Sequence, residues 1–186
     1  MQLSALAEEE IEPEIEEILS RADGSADSFN QSGSLPEKLA GKLGCRISTS
    51  RSENSTSLHI TCDESLVMSR TRSLRFVGAI PKDWPLELVA TKRYTVMGKV
   101  AVLLGAFAVQ DSFKDPTIQS IHVDCTFDVF NAASQKINAP IFALNVSRSD
   151  YAAKSDATDD LHRALRFFDA DKFSSQYKKG RADEWD

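Results

Sequence analysis

The feature that most limits the fold of this chain is a long apolar stretch in its middle. Leu86–Ala90 and Tyr94–Val109 consist mainly of aliphatic residues, and their β-branched and aromatic content favours strands over helices. Periodicity alone does not separate the two structures in a continuous apolar run. The longest unbroken run, Val100–Val109, has ten residues. A membrane span needs about 18–20, so we expect no transmembrane helix.

Local signals predict three short helices around this stretch. Ser34 and Glu37 match a capping box, which predicts a helix that ends before Gly44. We expect a second short helix to be capped near Ser73 and a last one near Thr158.

Other segments predict strands. Cys45–Ser50 and Thr56–Cys62 flank a polar turn and predict a hairpin. Ile121–Val129 alternates apolar and polar residues, which predicts a half-buried strand, with Pro140–Val146 as its neighbour and 147–157 as a polar loop. Strands and helices do not alternate as βαβ units. We therefore predict an α+β fold, in which a mainly antiparallel sheet and a few helices form one compact domain.

Charge divides the chain into an acidic arm and a mildly basic body. Residues 1–30 carry nine acidic side chains and one basic side chain, Arg21, a local charge of −8 in a chain whose net charge is −6. This balance argues against a uniformly basic nucleic-acid binder. Arm and body can attract each other within one chain or between copies. We predict three parts: an acidic, partly helical arm and linker over 1–33, a globular domain over 34–177 and a charged tail over 178–186.

The arm has one apolar face at helical spacing, formed by Ile11, Ile15, Ile18 and Leu19. A helix of about ten residues is marginal alone in water, so this face needs a surface on which to dock. We interpret the four residues as self-association anchors or partner contacts. An intramolecular cap, with acids that keep the arm solvated, is the alternative.

The body carries basic residues close to apolar and aromatic ones, a mixture that suits phosphate or anionic headgroups. The alternative is a solvated rim around the core. The candidate contact residues are Arg70, Arg72, Arg75, Lys92, Arg93 and Lys99.

Cysteines and histidines raise the question of metal or nucleophilic chemistry. Cys45, Cys62 and Cys125 are too few for a disulfide scaffold, and we expect a reducing, intracellular protein with core cysteines. His59 and His122 each precede a cysteine by three residues, a spacing that invites a zinc site. Positions i and i+3 of a strand point to opposite faces, which opposes that interpretation.

No nucleophile signature, phosphate-binding glycine loop or dinucleotide fingerprint occurs in the chain. We therefore expect no catalytic residue, no metal and no cofactor, and treat the protein as a non-enzyme. Met1–Glu10 has neither a basic start nor an apolar core, so we expect no signal peptide.

One family resemblance adds to this interpretation. Trp84 is followed fifteen residues later by Lys99, and an apolar run then ends in Leu104-Gly105. Two further segments correspond in position to features of one protein family: Ser73–Ile80 to a small helix, and Phe167–Ser174 to an aromatic–Lys–Phe–Ser segment. The chain resembles the rhabdovirus matrix proteins of the vesiculovirus type. It lacks their basic arm and their proline–tyrosine motif, so the plant-infecting, cytorhabdovirus-like members are the nearer match.

The resemblance implies a structural role. Such proteins self-associate by docking an N-terminal segment on a neighbour's globular domain, condense the viral nucleoprotein–RNA complex and link it to membrane. The implied location is the virion and the host cytoplasm, peripheral at membranes, with contact to an anionic membrane surface made by the basic body. The alternative is an intracellular regulatory binding module whose acidic arm docks on a basic partner protein. A small enzyme is a third class.

Overall fold

The computed structural model describes residues 8–20, 33–71, 86–130 and 133–153. These contain helices and a four-stranded sheet, which confirms the α+β prediction. The predicted limit at 177/178 and the helices expected near Ser73 and Thr158 lie outside the described residues, and the predicted limit at 33/34 stays a prediction. In chain order the elements are α1 (Glu8–Ser20), α2 (Leu35–Leu43), β1 (Cys45–Arg51), β2 (Ser55–Asp63), α3 (Glu64–Arg70), α4 (Leu86–Ser112), β3 (Ser120–Phe130), β4 (Lys136–Ser147) and α5 (Arg148–Ala153).

Helix α2 begins and ends where the sequence predicts. The backbone N–H of Ser34 donates to the Glu37 carboxylate over 2.8 Å, the reciprocal half of a capping box. Gly44 ends the helix in the left-handed region at φ +84°. A Cβ at this position would lie 2.6 Å from the Leu66 Cβ, so both backbone conformation and space select glycine here.

The sheet has the order β1-β2-β3-β4. Strands β1 and β2 form the predicted antiparallel hairpin, and β3 and β4 form the predicted antiparallel pair. The central pair, β2 and β3, is parallel, so two of the three pairings are antiparallel. A parallel pair needs a crossover connection, and this one contains α3 and α4.

The central apolar stretch is a helix, which decides between the two structures that the sequence left open and goes against the strands that its composition favoured. Helix α4 spans Leu86–Ser112 and packs against α2, α3, β2 and β3. All residues from Val96 to Val109 except Lys99 are buried. A helix enclosed on every side has no polar face, so its sequence loses the 3.6-residue period that would have identified it.

One face of the sheet packs against the helices and the other is polar. Leu58, Ile60 and Cys62 of β2 are buried, as are the alternating residues of β3 from Ile121 to Val129. The residues between them are exposed or half-buried. Residues 147–157 were expected to be loop, but α5 begins at Arg148 and buries Tyr151. None of the helices in the described ranges is both long enough and apolar enough to span a membrane.

Candidate functional site

Helix α1 packs on the globular domain through the apolar face that the sequence predicts. Ile18 is fully buried and Ile15 is 8% exposed. Both belong to the same core cluster as Leu39 of α2, and α1 packs against α2. Leu19 is half-buried against that cluster. Three of the four predicted anchors therefore contact their own domain, as in the intramolecular alternative, while the side chain of Ile11 lies outside the described part.

The opposite side of α1 is acidic and faces solvent. Glu16 and Glu17 are exposed. Pro13 lies inside the helix, because the helix starts at Glu8. An interior proline removes one backbone hydrogen bond and costs about 3 kcal/mol. Helix α1 is therefore weak by itself, and its formation depends on docking.

Two of the predicted phosphate-contact residues hold helices together. The Arg70 Nη1 donates to the Gly41 carbonyl over 2.5 Å, which joins α3 to α2. The Arg93 Nε lies 2.7 Å from the Glu64 Oε1, which joins α4 to the start of α3. Burial raises the pKa of Glu64, while the charge of Arg93 acts in the opposite direction. The ends of α3 are thus each tied to a neighbouring helix.

The other members of the basic set are dispersed or lie outside the described part. Lys99 is half-buried on α4. Lys92 precedes Arg93 in α4 with a side chain outside the described part, and Arg72 and Arg75 lie outside the described residues. A single phosphate-binding surface formed by all six residues stays a prediction.

The polar face of the sheet carries a cluster that spans three strands. The His59 Nδ1 is hydrogen-bonded to the Asp124 carboxylate. The His122 Nε2 lies 3.9 Å from the other Asp124 oxygen, and its Nδ1 is 2.8 Å from the Asn145 Oδ1. Both histidines face away from the cysteines that follow them, as the strand assignment predicts. No group of three or more His, Cys, Asp or Glu side chains in the described ranges could hold a metal ion.

Two cysteines are oxidised, which corrects the expectation of three reduced core cysteines. Cys45 and Cys62 are direct cross-strand partners on β1 and β2 and form a disulfide. The hairpin register brings them together, whereas their separation of 17 residues carries no such signal. Cys125 is a free, buried thiol, and burial raises its pKa well above the usual range. Such a thiol is unreactive.

A polar network that the sequence analysis did not identify joins three distant segments at one end of the sheet. The Asp115 carboxylate accepts hydrogen bonds from Arg51 and from Thr117. The Asp115 carbonyl accepts from the Arg148 Nη2 over 2.5 Å, and the Ile118 carbonyl accepts from the Arg148 Nε over 2.6 Å. The network ties β1, the α4–β3 loop and the start of α5 together, and its role is structural.

The chain matches no protein-family model, no curated protein and no solved structure. Of the residues that carry the matrix-protein resemblance, Lys99 and Leu104-Gly105 lie on helix α4, and the remainder lie outside the described residues. Among the site residues that the sequence predicts, the apolar face of α1 is the set that the structure places together in one contact, against α2.

Proposed function

We propose that this protein is a non-enzymatic, matrix-like assembly protein that self-associates when α1 of one copy docks on α2 of another. The observation that carries the proposal is the burial of Ile15 and Ile18 in a domain to which α1 is joined through residues 21–32. A helix that packs on its own domain can make the same contact with the domain of an identical chain, because the two contacts use the same residues.

The length of the connection makes exchange feasible. Twelve residues reach at most about 40 Å when fully extended, which is enough to bring α1 to a neighbouring copy. A tether of this size sets an effective concentration in the millimolar range for docking within one chain. Closed monomers therefore dominate at micromolar concentration, and exchange is favoured where copies are crowded on a surface.

The weakness of α1 favours exchange. Its interior Pro13 and its exposed acidic residues make the undocked helix unstable, so the arm leaves and rebinds as a single unit. Each exchanged arm leaves its own α2 surface open to a further copy. Where the exchange is not reciprocal and the rotation between copies does not close a ring, contacts of this head-to-tail kind form open chains.

The resemblance to rhabdovirus matrix proteins supports extending the proposal to the role in the virion. In that role, assembled copies condense the viral nucleoprotein–RNA complex and link it to an anionic membrane surface. Arg72, Arg75 and Lys92 remain candidates for the phosphate contacts. Binding to anionic vesicles and to nucleoprotein–RNA complex, measured by co-sedimentation, tests this extension separately from self-association.

The exposed acidic side of α1 favours one second candidate. Glu16 and Glu17 would face a basic surface if the arm left its own domain for a different protein. In that case the protein is an intracellular regulatory binding module, and the arm does not join copies of the chain.

Sedimentation velocity over a concentration series distinguishes the two candidates. The test variant is Ile15→Asp with Ile18→Asp, which places two carboxylates on the buried face of α1 and so prevents docking both within and between chains. The matched control is Glu16→Gln, on the exposed side of the same helix. We expect the wild type and the control to be monomeric at micromolar concentration and to form growing polymers as the concentration approaches the millimolar range, whereas the double variant stays monomeric throughout the series. Monomers for all three proteins would reject self-association and favour the binding module.

A further inference from the structure

The two edges of the sheet differ in how they are protected. Edge strand β4 contains Pro140, which has no N–H to offer, and a bulge where Cys125 pairs with Phe142 and Thr126 pairs with Pro140. Proline and bulges are devices that keep a sheet edge from pairing with another chain. Edge strand β1 has neither device, and its seven residues pair one for one with β2.

The hydrogen bonds between β1 and β2 show which backbone N–H and C=O groups of β1 point away from the sheet. Asp63 donates to the Gly44 carbonyl, and Ser52 donates to the Ser55 carbonyl. Antiparallel partners alternate between bonded and non-bonded pairs, so the even-numbered residues of β1 bond to β2. The odd-numbered residues direct their N–H and C=O groups away from the sheet. Within the described ranges, no hydrogen bond reaches these outward backbone groups of 45–51.

We propose that β1 pairs antiparallel with β1 of a second copy, about a two-fold axis that passes between the two Ser48 residues. In this register, Ile47 of each copy lies opposite Thr49 of the other. Both residues present outward groups, so each such pair exchanges two hydrogen bonds. The contact is isologous and joins two four-stranded sheets into one continuous sheet.

The side chains of β1 are compatible with this register. Arg46 lies opposite Ser50 of the second copy, and Arg51 lies opposite Cys45, so no like charges meet across the axis. Thr49, Ser50 and Arg51 are exposed in the single chain, which leaves room for a partner strand. The self-complementary register is the reason for assigning a second copy of the chain as the occupant.

The β1 contact is separate from the exchange of α1. It closes on itself, whereas arm exchange leaves an open end. One protein that uses both contacts forms a branched, two-dimensional array rather than a single chain of copies, which suits an assembly layer. The β1 contact forms with or without arm exchange, so each can be tested alone.

Disulfide trapping in the full chain tests the register directly. Ser48→Cys places two thiols opposite each other at the axis, in a non-bonded pair about 4.5 Å apart between Cα atoms. The matched control is Ser50→Cys on the same strand and face, where the two thiols are about 13 Å apart, four residues at roughly 3.3 Å each. The native cysteines do not compete, since Cys45 and Cys62 are already bonded and Cys125 is buried.

Under mild oxidation, we expect Ser48→Cys to yield at least ten times more covalent dimer than Ser50→Cys. Equal yields at the two positions, or no dimer at either, would overturn the proposal. The trapped dimer also persists in the Ile15→Asp, Ile18→Asp background, because α1 takes no part in it. Loss of the trapped dimer in that background would show that the contact depends on the arm and would likewise overturn it.

Ser48→Lys gives a second test without oxidation. It sets two ammonium groups face to face across the axis, which destabilises strand pairing. We expect at least a tenfold rise in the dimer dissociation constant in analytical ultracentrifugation. The control, Ser57→Lys, is on the same exposed face of interior strand β2 and leaves the dissociation constant unchanged. An unchanged value for Ser48→Lys would contradict the proposal.

Discussion

The Arg148 guanidinium lies 4.8 Å from the centre of the Phe113 ring and holds the end of α4 against the start of α5. The same group donates to the carbonyls of Phe113, Asp115 and Ile118. The Phe113 ring in turn contacts Tyr151, with centroids 4.8 Å apart. A single side chain therefore organises the loop that connects α4 to β3.

Replacing Arg148 with methionine is expected to destabilise the domain. The substitution keeps most of the apolar stem but leaves carbonyls without donors, at a cost of about 1–3 kcal/mol. Urea denaturation followed by circular dichroism measures the change. The control is Arg46→Met, at an exposed position on the polar face of the sheet, which should change the midpoint little. Equal midpoints for the two variants would contradict the organising role of Arg148.

Stability at acidic pH depends on Asp115. Thr117 donates to this carboxylate from its hydroxyl over 2.6 Å and from its N–H over 2.9 Å, and with Arg51 these bonds lower its pKa to about 2. A lowered pKa in the folded state stabilises the protein above the ordinary value of 3.8. That contribution disappears as pH falls through about 2.

In the Asp115→Asn variant, the free energy of unfolding should therefore fall less steeply between about pH 4 and pH 2 than in the wild type. Urea midpoints across this range provide the measurement. The pKa of Asp128 is also lowered, by Asn138 and Lys136. The stability of the Asp115→Asn variant should therefore still fall as the pH decreases, but less steeply than that of the wild type. The control Asp111→Asn removes one partner of an exposed pair with Lys114, which contributes little to stability. If the urea midpoint of Asp115→Asn depended on pH as steeply as that of the wild type, Asp115 would not be the source of the loss of stability in acid.

The Cys45–Cys62 disulfide predicts sensitivity to reductant. Closing a loop of about this length stabilises a protein by about 3 kcal/mol in the chain-entropy description. Dithiothreitol should lower the free energy of unfolding by about 2–3 kcal/mol. The double variant Cys45→Ala, Cys62→Ala should not respond to it. Alkylation of the denatured, non-reduced protein should label Cys125 alone, and labelling of all three cysteines would refute the disulfide.

Elements defined by a local signal were predictable from the sequence. The capping box at Ser34 and the left-handed Gly44 bound α2, and strict alternation identified β3. Helix α4 was not predictable, because its segment from Val96 to Val109 is buried around the helix circumference and lacks an amphipathic period. Its β-branched residues then favoured the wrong structure. Helix α3 was missed because seven residues are too few to establish a period.

The candidate sites divide in a similar way. The apolar face of α1 follows from spacing alone, since Ile15 and Ile18 lie one turn apart. The basic set was chosen by charge. Charge alone does not distinguish an arginine that contacts phosphate from one that joins two helices, as Arg70 does through its hydrogen bond to the Gly41 carbonyl. The disulfide and the position of β1 at the edge of the four described strands depend on strand register and sheet order. Those properties arise from the fold as a whole and leave no local trace in the sequence.

The central claim is that α1 of one copy docks on α2 of another. Energy transfer between copies tests it most directly, with Glu16→Cys labelled as donor in one preparation and Lys38→Cys labelled as acceptor in a second. Both positions are exposed. A single chain that carries both labels gives the signal of docking within one copy and serves as the positive control.

In the mixed sample, we expect energy transfer that rises with protein concentration. Deleting residues 24–31 should raise it further, because a shorter connection disfavours docking within one chain. No transfer between copies at any concentration, with full transfer in the doubly labelled chain, would show that α1 docks only on its own domain and would contradict the account.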